Sequence, residues 1–368
     1  MKVGVIGAGA ISGIYLQNMI HRFPDLDVVA ISSAHMENAQ KKAAEHHLRA
    51  CTTEEIMDDP EIEMVVVLTP VGSHEQLIRA ALEHGKHVYT EKTLTDDPAT
   101  ALSLLKLAEE KGLYLGSAPD TFLGAALQTA RKAIEEGKLG EIHSFAISAT
   151  RCNDLLLSLF SFLREPGAGI LYDYAVYYVT ALVSLLGPVQ RVAACTSTPY
   201  PTHVGIIPGR PEFGKEFASP NESQVSAILQ MKSGVAGTLH IDADTISTDE
   251  AYFTIYGTKG YLKLTDPNQF GGDVLFFPTI RDKWETPTPE ILQAVSDLTD
   301  NCRGIGPQEM AQAIREGRPN RASKEMAYHV LDTLSAILAS GKDGAFHEVK
   351  STCELPEPMF STESERGN

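Results

Sequence analysis

Three groups of residues have the types and spacing to do chemistry. The first is Val5-Ile6-Gly7-Ala8-Gly9-Ala10-Ile11-Ser12-Gly13, an apolar run that ends in a glycine turn and opens a helical pattern. Strand, tight turn and helix in that order make a corner that cradles a pyrophosphate. Gly7 allows the turn, and Gly9 lets backbone approach the phosphates. The free N–H groups around Ala10 and Ile11 point at the anion. Ser12 stands where a third glycine is usual, and a small residue there still permits close helix–strand packing. The second group is Glu91-Lys92, which follows an apolar strand pattern. A lysine at the carboxyl end of a parallel strand lies on the edge where open α/β sheets bind ligands. There it can hydrogen-bond a substrate oxygen and stabilise charge as a hydride leaves its carbon. Its ordinary alternative is a surface lysine paired with Glu91. The third group is Asp173 and Tyr177, four residues apart and so on one helical face. Their ordinary alternatives are a helix N-cap and a core aromatic.

These residues need elements to hold them. The first 120 residues alternate strand patterns (2–7, 28–32, 64–68, 87–90, 113–117) with helical ones (11–21, 37–46, 73–84, 98–111). Such alternation implies βαβ units and a parallel sheet. The continuous run Val65-Val66-Val67-Leu68 suits a strand buried on both faces. Beyond residue 120 the texture changes. A helix is expected over 121–136 and another over 173–186, stopped by Gly187-Pro188. Longer alternating segments at 141–149, 189–195, 223–231, 235–242, 251–256 and 261–265 read as a mostly antiparallel sheet. Residues 196–222 are rich in Pro and Gly and read as a long loop. Late helices are expected over 307–316 and 323–340. The fold class is therefore an α/β N-terminal Rossmann domain plus an α+β C-terminal domain with an open, mostly antiparallel sheet. The expected domains are 1–120 and 121–368, with the 323–340 helix a candidate to pack back on the first.

Bulk properties narrow the function classes. The chain has 368 residues, 43% hydrophobic and 21% charged, which is ordinary for a globular enzyme. Its net charge of −17 repels phosphate backbones, so no nucleic-acid partner is expected. No apolar run approaches the roughly 18–20 residues of a membrane span, so no membrane partner is expected either. The strand pattern begins at Lys2, so no leader is expected ahead of it. Cys51, Cys152, Cys195, Cys302 and Cys353 are scattered and odd in number, which fits a reducing, cytoplasmic setting. No histidine pair with a third ligand in reach is found, so no metal site is expected.

The segment Thr69-Pro70, His74, Gly85-Lys86-His87-Val88 and Glu91-Lys92-Thr93, together with the glycine turn, resembles the Gfo/Idh/MocA oxidoreductases. In that family the lysine is followed by a proline, typically a cis turn; Thr93 replaces it here. The cluster from Gly167 to Tyr178 matches the family pattern of glycines followed by D-x-G-x-H. Asp173 is kept, Ala175 stands for the glycine, and Tyr177 stands for the histidine. The segments Ala118-Pro119-Asp120, Gly257-Thr258-Lys259-Gly260 and Thr265-Asp266-Pro267-Asn268 resemble a bacterial branch that oxidises carbon 3 of the sugar in C-glycosides. The resemblance runs to about residue 340. It implies a nicotinamide ring resting where Thr69-Pro70 and Glu91-Lys92 end their strands, in a cleft between the two domains. Cofactor contacts are then expected from Gly7, Gly9, Ala10, Ile11, Ser32, Ser33, Thr69, Pro70, His74, Glu91 and Lys92. It implies Lys92, Asp173 and Tyr177 as the catalytic set.

The second strand ends in Ser32-Ser33 with no acid to grip a ribose 2′-hydroxyl and no arginine to pair a 2′-phosphate. The resemblance favours NAD, with NADP the alternative. The expected activity is oxidation of a secondary sugar hydroxyl, carbon 3 foremost, in a sugar or glycoside. Three alternatives stay open: redox-assisted bond cleavage with recycled NAD, an NADP-linked aldose or ketose reductase, and a non-catalytic sensor. As is usual in the family, a homo-oligomer is expected, formed through the open face of the sheet.

Overall fold

A computed structural model describes residues 1–165, 168–245, 251–280 and 288–360. Contact density divides the chain into two units. One comprises residues 1–123 with 301–331, and the other 124–300 with 332–368.

The first unit is built on six parallel strands. They are β1 (Lys2–Ile6), β2 (Asp27–Ser32), β3 (Arg49–Ala50), β4 (Met64–Val67), β5 (His87–Thr90) and β6 (Leu115–Ser117). Their spatial order is β3-β2-β1-β4-β5-β6, and every pair is parallel. This is the doubly wound order, which reverses direction beside β1 and makes the crevice at β1 and β4 the ligand edge. All four residues of β4 are fully buried, because crossover helices cover both faces of the sheet. The crossovers are α1 (Ser12–His21), α2 (Met36–His46), α3 (Thr53–Asp58), α4 (His74–Glu83) and α5 (Pro98–Lys111).

Two short elements escaped the sequence reading, β3 and α3. The helix did carry a signal. Thr52 caps it by accepting the Glu55 N–H, and the Glu55 carboxylate accepts the Thr52 N–H in return. Such a cap is worth about 1 kcal/mol and its T-x-x-E spacing is visible in sequence. In the returning segment, Asp120 accepts the N–H groups of Gly304 and Gly306 at 3.3 and 3.0 Å, at the start of helix Ile305–Glu316.

The second unit packs helices against one face of a sheet. Helix α6 (Ala125–Glu135) precedes β7 (Ile142–Thr150) and α7 (Asn153–Leu159); α8 (Val176–Leu186) follows. Strands β8 (Val189–Ser197), β9 (Thr202–Val204), β10 (Glu216–Ala218), β11 (Gln224–Met231), β12 (Ala236–Asp242), β13 (Ala251–Gly257), β14 (Gly260–Leu264), β15 (Leu275–Pro278), β16 (Glu290–Ile291) and β17 (His347–Glu348) complete it. Nine strands form one sheet in the order β16-β15-β14-β13-β7-β12-β11-β8-β17. Neighbours are antiparallel except β7 and β12. Alternation of inward Phe145, Ile147 and Ala149 with half-buried residues along β7 is the period-2 pattern of a sheet with one covered face.

Three expectations for this unit are revised. The helix expected from 121 breaks at Gly124, after a 3₁₀ turn over Thr121–Leu123. The segment 196–222 is not all loop, since β9 and β10 pair as an antiparallel hairpin. The helix expected from 173 begins earlier, with a π-type turn over Leu171–Ala175 that runs into α8. Helix α7 was not foreseen.

Candidate active site

The glycine turn of the first unit is shaped as a phosphate cradle. Gly7 adopts φ +115°, and a Cβ there would fall 2.7 Å from the Leu68 carbonyl of the neighbouring strand. Only glycine meets both demands. Its N–H donates to the Ser32 carbonyl at 2.9 Å, which locks the turn to the end of β2. Gly9 and Ala10 are exposed, and nothing lies within 4 Å of where a Gly9 side chain would be. Ile11 sits at the cap of α1 with no side chain satisfying the first-turn N–H groups. Those donors suit an oxyanion. Ser12 is fully buried, and its Oγ donates to the Gly9 carbonyl at 2.7 Å. The residue in the third-glycine position thus braces the turn.

At the end of β2 the two serines differ. Ser32 is fully buried, its hydroxyl 3.1 Å from that of Thr53. Ser33 is half-buried, and its Oγ accepts the His35 N–H at 3.4 Å. The accessible hydroxyl at this strand end is therefore Ser33.

Strands β4 and β5 pair in register, Val67 opposite Thr90, so the residues that follow them emerge side by side. Thr69 and Lys92 are half-buried and Pro70 is exposed. The Lys92–Thr93 peptide is cis, as the family's lysine–proline bond is expected to be. The Glu91 carboxylate is engaged twice within the protein. Its Oε2 accepts the Lys92 N–H at 3.0 Å, and its Oε1 accepts the Tyr15 hydroxyl at 2.7 Å. His74 is fully buried. Its Nδ1 lies 2.8 Å from the Thr93 carbonyl and its Nε2 2.8 Å from the Thr69 carbonyl. The one N–H of the neutral imidazole thus goes to a backbone carbonyl. Burial pushes its pKa down, opposed by those two acceptors.

Asp173 and Tyr177 belong to the second unit. Asp173 lies within the π turn, and its own N–H donates to the Gly169 carbonyl at 3.0 Å. The helix has begun before it, so Asp173 is not the cap. The acceptor at that end is Glu222, whose Oε1 takes the Leu171 N–H at 3.2 Å. Asp173 and Glu222 line one small recess with Asn153, Leu156 and Leu163. Burial pushes the Glu222 carboxyl above its usual range. Tyr177 is 9% exposed. Gly167, part of the same motif, lies outside the described residues.

The tyrosines next to these two do a different job. Tyr174 and Tyr178 donate to the Asp266 carboxylate at 2.8 and 3.2 Å. Arg151 stacks over the Tyr174 ring at 3.9 Å and reaches Asp266 at 3.3 Å. Burial and Asp266 hold both phenols far above the usual tyrosine range, so they stay protonated donors. This network fixes the rotation of the helix that carries Asp173 and Tyr177.

Within the first unit, then, Gly7, Gly9, Ala10, Ile11, Ser33, Thr69, Pro70, Glu91 and Lys92 gather at one edge of the sheet, with Ser32 and His74 buried behind them. Sequence reasoning passed over Tyr15, Asn153 and Glu222. Tyr15 fell on the apolar face of a helix, and nothing local marks Asn153 or Glu222, which act only through contacts made in the fold. Among the described residues no group of three or more histidine, cysteine or acidic side chains is placed to hold a metal ion. The five cysteines are free. No helix among the described residues is long and apolar enough to cross a membrane.

Comparison with known proteins gives concordant matches over both units. Residues 1–118 match the model of the Gfo/Idh/MocA oxidoreductase family, NAD-binding Rossmann fold. Residues 127–263 match that of the Gfo/Idh/MocA C-terminal domain. The scyllo-inositol 2-dehydrogenase (NADP(+)) IolW of Bacillus subtilis is 26% identical over 194 residues, 53% of this chain and 54% of that protein. The chain thus spans about half the length of that relative. The 1,5-anhydro-D-fructose reductase of Ensifer adhaerens is 29% identical over 70% of this chain and 74% of its own. Levoglucosan dehydrogenase, solved with NADH and L-sorbose, superimposes with a TM-score of 0.80 at 20% identity, over 95% of this chain and 99% of that one. At that identity the likeness concerns the fold.

Proposed function

Because the chain belongs to the Gfo/Idh/MocA oxidoreductase family, we propose that it transfers hydride between a nicotinamide dinucleotide and a secondary alcohol of a sugar or glycoside. The observation that carries this reading is Lys92, held at the carboxyl edge of the parallel sheet beside an uncapped glycine turn. The turn fits a dinucleotide. Its exposed Gly9 and the start of α1, which no side chain caps, suit a pyrophosphate. Bound NAD would supply the hydride acceptor; NADP is the alternative.

The chain's own residues then have distinct tasks. Lys92 holds the reacting oxygen and stabilises the charge that develops on it. Tyr177 exchanges the hydroxyl proton. Asp173, which lines a recess with Asn153, Leu156 and Leu163, orients a neighbouring substrate hydroxyl. Carbon 3 is the position we favour, with C-glycosides among the candidate substrates, on the resemblance of the segments around Asp120 and Asp266. The NADP-linked reductase reading keeps one specific support: the accessible group after β2 is a serine and not an acid. We further propose that a second copy of the chain covers the open face of the nine-stranded sheet, where Ile228 and Tyr252 are exposed.

The deciding experiment is mass spectrometry of purified protein incubated with NAD and a panel of O- and C-glucosides. A product two hydrogens lighter than its glucoside is expected. A released aglycone would point instead to redox-assisted cleavage, and no change in any glucoside would overturn the dehydrogenase reading.

A further inference from the structure

We propose that Tyr15 and His74 are positioning residues for Lys92, gripping from two sides the turn that carries it. The proposal rests on the reading of Lys92 given above. Strand β5 ends at Thr90, and the last ladder contact is the Glu91 N–H donating to the Val67 carbonyl at 2.8 Å. Beyond that point the sheet no longer fixes the chain, yet Lys92 must be held to a fraction of an ångström to serve hydride transfer.

The first grip comes through Glu91. Its carboxylate curls back to accept the Lys92 N–H with Oε2, and Oε1 receives the Tyr15 hydroxyl. Tyr15 is fully buried on α1, one turn beyond the glycine loop. Burial, with the Glu91 and Asp120 carboxylates nearby, keeps its phenol well above the usual range, so the proton stays on the oxygen and the hydroxyl remains a donor. A single hydroxyl thus links the phosphate-binding helix to the lysine turn.

The second grip comes through His74. Two carbonyls, from Thr69 and Thr93, each stand 2.8 Å from a ring nitrogen. A neutral imidazole has one N–H, so each tautomer donates to one of the two carbonyls and leaves the other nitrogen without a proton to share. The ring is packed between the residues after β4 and the residue after Lys92, hydrogen-bonds one of the two carbonyls, and has Glu91 as the charged group that bears on it. Neither Tyr15 nor His74 is accessible to substrate, so each acts through the backbone it holds.

The test uses the full chain and the variant Tyr15→Phe, which removes one oxygen and keeps the ring. Amide hydrogen exchange at Lys92 and Thr93 reads the grip directly. Turnover and ADP-ribose affinity are measured in the native and Lys92→Met backgrounds. We expect exchange at Lys92 to speed about tenfold and kcat to fall about tenfold. ADP-ribose, which lacks the nicotinamide, should bind unchanged, and no further loss should occur in Lys92→Met. His74→Gln, which keeps one amide donor, should lose less turnover than His74→Ala. Unchanged exchange in Tyr15→Phe, or the same factor lost with and without Lys92, would overturn the proposal. If the native protein oxidises no sugar, the functional reading fails while hydrogen exchange still decides the grip.

Discussion

The Glu222 carboxylate occupies the space that a side chain at position 169 would need. A Cβ built on Gly169 falls 2.1 Å from Glu222 Oε1 and 2.3 Å from its carboxyl carbon. The glycine is required by approach, not by its φ angle. The carboxylate comes this close because it caps the helix that bears Asp173. Gly169→Ala should therefore destabilise the protein by about 1–3 kcal/mol, as overpacking does. Combining it with Glu222→Ala should cost less than the two separate losses added together. Thermal or denaturant unfolding of the three variants measures that coupling, and strict additivity would refute it.

Lys92→Met should lower kcat by about 10² to 10⁴, the usual worth of a group that handles charge and protons in a transition state. The dissociation constant for ADP-ribose should stay within about twofold, because the pyrophosphate cradle is a separate element. Steady-state kinetics with the best glycoside found makes the measurement. Near-normal turnover would remove Lys92 from the mechanism.

The adjacent tyrosines Tyr177 and Tyr178 should separate by role. Tyr177→Phe should reduce turnover by about 10². Tyr178→Phe removes a buried hydrogen bond to Asp266 and should cost about 1–2 kcal/mol of stability with kcat largely retained. Reversal of the two phenotypes would move proton transfer from Tyr177 to Tyr178.

The serines at the end of β2 should likewise part. Ser33→Asp adds a carboxylate at a half-buried position, where it can accept a ribose 2′-hydroxyl. NAD affinity relative to NADP should rise about tenfold or more, in line with a charge-assisted hydrogen bond. Ser32→Asp forces a charge into a fully buried site beside Thr53 and should chiefly lose stability. Equal cofactor constants before and after Ser33→Asp would refute the placement of the ribose.

Stability should also depend on pH through Asp120. This carboxyl is 1% exposed, and burial pushes its pKa up to about 6, against the pull of the Gly306 N–H and Arg303. An acid whose folded pKa lies above its unfolded value near 3.8 binds more protons when folded. Its contribution is therefore present below about pH 4 and is lost as pH rises through 6. Over that interval the change is about 2–3 kcal/mol. Asp120→Asn should flatten the pH dependence of unfolding between about pH 4 and 6, and an unaltered slope in that variant would exclude Asp120 as its source.

How much of this was written in the sequence depends on range. The glycine turn, the strand ends carrying Thr69, Glu91 and Lys92, and the helix Pro98–Lys111 were legible, because each follows from local turn chemistry or from periodicity along a few residues. The parallel first sheet and mostly antiparallel second sheet followed from the same alternation. Helix α3 had a readable capping box that was passed over. The hairpin of β9 and β10 was hidden because its two three-residue strands are too short to show a period and are joined by a loop rich in proline and glycine. Only the tertiary structure decided that Ser32 is buried against Thr53 while Ser33 is not, that His74 serves the backbone, and that Tyr15 holds Glu91. It alone put Glu222 at the start of the helix bearing Asp173. The Ser32–Thr53, Leu171–Glu222 and Tyr15–Glu91 contacts join residues 21, 51 and 76 positions apart. No local propensity encodes such a meeting; it exists only once the packed core has fixed both partners.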